Sequence, residues 1–121
     1  MKVCHVINSL NRGGAETHLL ELVTAQSNAG FYVDVVVIGE DNSNIFSIKS
    51  EISNSCNKIH RLKGPRMFNV VSYIKLQKII KKNKYDIVHS HQPRSDFMVF
   101  IIKKIFFSKN VFKWIVSIHG K

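Results

Sequence analysis

A doubly wound parallel α/β sheet is the fold this sequence predicts, and three observations carry the prediction. The stretch Val3-Cys4-His5-Val6-Ile7-Asn8-Ser9-Leu10-Asn11-Arg12-Gly13-Gly14-Ala15-Glu16 reads as a buried strand, a glycine turn and the start of a helix. Downstream, short β-branched runs alternate with stretches of helical period, the pattern of strands joined by helical crossovers. The chain has 121 residues, 45% of them hydrophobic, which suits one domain with one core.

The elements follow in order. Val3, Cys4, Val6 and Ile7 form an apolar run, as expected of a parallel strand covered on both faces. Gly13 and Gly14 let the backbone turn sharply and lie close to whatever sits above it. The next helix, predicted over Ala15–Ala29, aims free N–H groups and a partial positive charge into the same space. Such a place suits phosphate or another anion. Ala15, Leu19, Leu22 and Val23 define its apolar side, with Glu16, Glu21 and Gln26 facing away and Gly30 as its stop.

Phe31–Ile38 is a second buried strand, built on Val35-Val36-Val37-Ile38. A short helix is expected over Ile45–Ile52 and a short edge strand over Lys58–Leu62, before the terminator Gly64-Pro65. Met67–Lys82 is a second clear helix. Met67, Val70, Val71 and Ile74 define one face, extended by Leu76, Ile79 and Ile80, while Lys75, Lys78 and Lys82 line the other. Tyr85–Ser90 is a strand, and Pro93 suits the first turn of a helix running to Phe107. Val111–Ile118 is the last strand. A doubly wound domain normally continues into another helix, so a truncated chain or one half of something larger is expected.

The formal net charge is +10. That balance admits nucleic acid, anionic lipid or phosphorylated small molecules as partners, or simply a solvated lysine-rich surface. No nucleic-acid motif accompanies the charge. Cys4 and Cys56 form no CxxC, and both are read as reduced thiols of a cytosolic protein. No apolar run approaches the roughly 20 residues of a membrane span, and the N-terminus lacks the form of a signal peptide. Two stretches carry an interfacial signature. Met67–Lys84 has a basic face, and Phe97–Trp114 interleaves aromatic rings with lysines. The alternative is that their apolar sides pack on the sheet.

In open parallel sheets ligands bind outside the carboxyl ends of the strands, where the strand order reverses. In a 3-2-1-4-5 order, three features meet there: the Asn11–Gly14 turn, His89-Ser90-His91 and His119-Gly120. Gly13-Gly14 matches neither GxGxxG nor a P-loop, which argues against nicotinamide, flavin or kinase chemistry. His89 and His91 share one face of a strand and His119 could approach them, but no spacing requires a metal. His119 is the better site candidate, and His5 is read as structural. Asp34 and Asp86 are read as flanking strands, and Glu16 as a carboxylate favouring the helix dipole.

The turn Ile7–Glu16, the strand Asp86-Ile87-Val88-His89-Ser90-His91 and the end Ser117-Ile118-His119-Gly120 together resemble the N-terminal domain of family-4 glycosyltransferases, retaining enzymes of the GT-B fold. The resemblance spans essentially the whole chain, residues 1–121. It implies a Rossmann-like acceptor domain facing a second such domain across a cleft. It places Gly13 and Gly14 against the diphosphate of a nucleotide-sugar donor. His119 becomes the catalytic residue near the donor sugar, with Gly120 beside it, and His91 a cleft residue. It implies no metal and no cofactor besides the donor substrate.

The family's Glu-x7-Glu element lies in the C-terminal domain, which this sequence does not contain. The chain alone is therefore expected to be inactive, with a missing domain or a partner subunit supplying the donor half. A glycan or lipid-linked acceptor, a role in surface polysaccharide biosynthesis, and a cytoplasmic location with peripheral contact at the inner face of the membrane are expected. The competing reading is a non-catalytic Rossmann-like module for anionic partners, or one subunit of a split glycosyltransferase.

Overall fold

A computed structural model describes residues 1–7, 14–38, 56–62, 70–91, 93–106 and 112–116. Five strands form one sheet: β1 (Lys2–Ile7), β2 (Tyr32–Val37), β3 (Lys58–Arg61), β4 (Ile87–Ser90) and β5 (Lys113–Val116). Three helices are described: α1 (Gly14–Asn28), α2 (Val70–Asn83) and α3 (Pro93–Phe106). The expected helix over 45–52 lies outside the described residues.

The strand order is β3-β2-β1-β4-β5, and every pairing is parallel. This is the expected Rossmann-like, doubly wound sheet. The chain steps outward from β1 through β2 to β3, then returns to place β4 on the other side of β1. The order therefore reverses between β1 and β4.

Side-chain alternation divides the core into two layers. One layer joins Ile7, Val33, Val35 and Val37 of the sheet to Leu19 and Val23 of α1. The other joins Cys4, Val6, Val36 and Val88 to Leu76 and Ile80 of α2 and to Met98, Val99 and Ile102 of α3. Helices thus cover both faces, which explains why β1 and β2 read as near-continuous apolar runs. Gly30, at φ +91°, closes α1 in the left-handed region that a side chain rarely adopts.

Three readings of the sequence are corrected. Helix α2 turns Ser72, Leu76 and Ile80 inward, whereas Val71 is 57% exposed and Ile74 39%. The positions 72, 76 and 80 repeat at the i, i+4 spacing of one helical stripe, and the small Ser72 lets the helix approach the sheet. Asp34 does not flank a strand: it sits within β2 and is fully buried. Gln26 does not face away from the core. At positions 19, 23 and 26 one stripe of α1 points at the sheet, and Gln26 reaches His5.

Candidate functional site at the strand-order reversal

The reversal between β1 and β4 brings three histidines together on the α1 face. His5 of β1 pairs in register with His89 of β4, and His91 follows two residues later on the same side. His5 and His91 are fully buried, and His89 is 9% exposed. The rings of His89 and His91 stack with centroids 4.2 Å apart and planes 18° from parallel. The His5 ring lies 5.1 Å from each of the others.

Hydrogen bonds order the cluster. His5 Nε2 is 2.7 Å from Gln26 Oε1, and His5 Nδ1 is 2.9 Å from His91 Nε2. A carbonyl oxygen only accepts, so His5 Nε2 carries the hydrogen. Burial pushes His5 down to about 4, with the charges of His89 and His18 adding to the effect against the Gln26 hydrogen bond. His5 is therefore neutral at physiological pH, and its Nδ1 accepts from His91 Nε2–H. The main chain of His91 is fixed as well, its N–H donating to Val6 O at 3.0 Å.

The end of β4 is held from the other face. Ser90 Oγ donates to Asp96 Oδ1 at 2.5 Å and accepts from Trp114 Nε1–H at 2.9 Å. Asp96 lies in the first turn of α3, where a carboxylate complements the partial positive charge of the helix. One serine thereby ties β4 to α3 and β5.

Among the residues expected at the site, the structure places His91 at the mouth of the reversal, buried. Gly14 opens α1, directly after the segment leaving β1. Gly13, His119 and Gly120 lie outside the described residues. The histidine that joins His89 and His91 among the described residues is His5, read from sequence as structural. Its signal was its odd position in β1, which puts it beside β4 once those strands are neighbours.

An open parallel sheet with helices on both faces and a reversal of strand order defines a Rossmann-like domain. The chain belongs to Glycosyltransferase Family 4, whose family model matches residues 12–121. No curated protein matches the sequence at a significant level. Among solved structures, sucrose-phosphate synthase from Thermosynechococcus elongatus superposes with TM-score 0.63 and 18% identity, over 99% of this chain and 33% of its own. N,N'-diacetylchitobiose deacetylase from Pyrococcus horikoshii superposes with TM-score 0.64 and 16% identity, over 85% of this chain and 49% of its own. At such identities the likeness is one of fold. The chain spans half or less of each of these neighbours.

Proposed function

We propose that this chain is the acceptor-side domain of a retaining glycosyltransferase, transferring a sugar from a nucleotide-sugar donor to a glycan or lipid-linked acceptor in surface polysaccharide biosynthesis. The family match over residues 12–121 carries the reading, and the reversal between β1 and β4 is where open parallel sheets bind their ligands. In this reading the Gly13-Gly14 turn and the N-terminus of α1 face the donor diphosphate. Oriented N–H groups there stabilise the charge that develops on the leaving group. His119, with Gly120, stands beside the reacting sugar, and His91 backs the cleft from β4. The donor nucleotide is gripped mainly by a second domain or partner chain.

The outer side of the α2–α3 layer supports a peripheral contact with anionic lipid. Phe97 and Phe100 are 40% and 43% exposed, and Lys75, Lys78 and Lys104 are exposed on the same two helices. Rings and lysines on one layer match an interfacial surface. Such a contact would hold the enzyme on the cytoplasmic leaflet, where a lipid-linked acceptor lies.

The test is sugar transfer by the complete enzyme, with radiolabelled UDP- and GDP-hexoses as donors and membrane lipid extract as acceptor. Labelled lipid, lost in His119→Ala while the melting temperature is kept, supports the reading. An assembled protein that consumes no donor and binds no nucleotide sugar overturns it.

A further inference from the structure

We propose that His5, His89 and His91 form a binding site for a divalent transition metal of the zinc type, at the strand-order reversal. The nitrogen atoms that these three residues can offer all lie within 4.8 Å of one another. Three imidazoles at about 2.0–2.1 Å around a tetrahedral ion stand about 3.3 Å apart. The His5–His91 pair, at 2.9 Å, needs to open by only a few tenths of an ångström. The widest pair needs to close by no more than about 1.5 Å to reach that geometry.

A second observation points the same way. A metal-bound histidine almost always donates its other ring N–H to a fixed acceptor, which sets its tautomer and raises its basicity. His5 already has that partner: Nε2–H donates to Gln26 Oε1 at 2.7 Å, which turns the Nδ1 lone pair into the cluster. Gln26 is a polar residue on the inward stripe of α1 with this task. On binding, the hydrogen of His91 moves from Nε2 to Nδ1, and Nε2 then faces the ion beside His5 Nδ1. A nitrogen-only set favours zinc, cobalt, nickel or copper over magnesium or calcium. Water completes the fourth position.

The ion bridges β1 and β4, neighbours in the sheet that are not consecutive in sequence, and it takes no part in sugar transfer. The inference is independent of the proposed enzymatic function, since a metal-free protein could still transfer sugar and a metal-bound one could fail to.

The experiment strips the protein with a chelator, titrates it with zinc or cobalt(II), and dialyses it against metal-free buffer. One ion per chain is expected to remain. Cobalt should show the intense visible bands of a tetrahedral nitrogen site, and zinc should raise the melting temperature. His5→Gln, His89→Gln and His91→Gln should each abolish retention. Gln26→Leu should weaken it about 10–100-fold, and His60→Gln should leave it unchanged. If a histidine variant fails to fold by circular dichroism, Gln26→Leu and the cobalt spectrum decide. No retained ion, an octahedral cobalt spectrum, or retention indifferent to all of these substitutions would show a hydrogen-bonded histidine cluster only, and overturn the site.

Discussion

The hydroxyl of Tyr85 donates to Asp34 Oδ2 at 2.5 Å, linking the segment that enters β4 to the middle of β2 beneath β1. Asp34 is fully buried, and its second oxygen has no hydrogen-bond partner among the described residues. The His60 imidazole stands 3.7 Å from Oδ2. Burial pushes the Tyr85 phenol far up, so it remains a donor throughout the ordinary pH range. Tyr85→Phe removes the donor and strands the carboxylate, which should cost about 1–3 kcal/mol in urea unfolding. The double variant Tyr85→Phe/Asp34→Leu should lose less than the single one, because the carboxylate is then no longer stranded without its donor. A double variant that is less stable than Tyr85→Phe would disprove this account.

Acid should destabilise the metal-free protein through His5. Its folded value is lowered from 6.5 to about 4. Between those values the unfolded chain takes up a proton that the folded chain refuses, so stability rises with pH there. The contribution is complete above about pH 6.5 and is lost as pH falls toward 4. Its size is about 3 kcal/mol. Urea midpoints of wild type and His5→Gln, compared from pH 7.5 to 4.5, should converge as the pH drops. Parallel curves would assign the acid sensitivity elsewhere.

Ser90 should govern the sheet edge. Ser90→Ala removes the acceptor of Trp114 Nε1–H and the donor to Asp96 together. A loss of about 1–3 kcal/mol is expected. Trp114 is the single tryptophan, so its fluorescence reports the edge directly. Emission should shift to longer wavelength in the folded variant as the indole loses its anchor. An unshifted spectrum would mean that packing alone holds the ring.

The two thiols should separate by reactivity. Cys4 is fully buried, and burial, followed by the Asp34 charge, pushes its thiol far up. Cys56 is half-buried, and the same two causes push it up to about 11. The thiolate is the reacting form. At pH 8, iodoacetamide should modify Cys56 slowly and Cys4 only after unfolding. Mass spectrometry that finds Cys4 modified as fast as Cys56 would mean β1 opens locally.

The sheet was legible because its physics is local and repeated. Val35-Val36-Val37 can hardly be anything but a covered strand, and Gly30 ends a helix wherever a left-handed residue is needed. Strand order followed from the crossover rule rather than from any one residue. Side-chain direction was less legible. Helix α2 has apolar residues on more than one side, so periodicity alone did not choose Leu76 and Ile80 over Val71 and Ile74. The polar residues inside were the hardest. Asp34 is buried and Gln26 turns toward the sheet because a partner on a distant element receives them, Tyr85 in one case and His5 in the other. No local pattern announces a partner so far away. The same limit applied to the site: His91 was found by its strand end, whereas His5 entered the cluster only through its register with β4.

Strand β1 comes before the other described strands and lies in the middle of the sheet. Its neighbour β2 arrives some 30 residues later, but β4, which covers its other edge, starts at residue 87. A ribosome adding about 5–20 residues per second needs roughly 4–16 s to cover the 80 positions from the end of β1 to the start of β4. For that interval one edge of an apolar strand is open to other chains. Slowing translation before residue 87 should therefore lower the soluble yield.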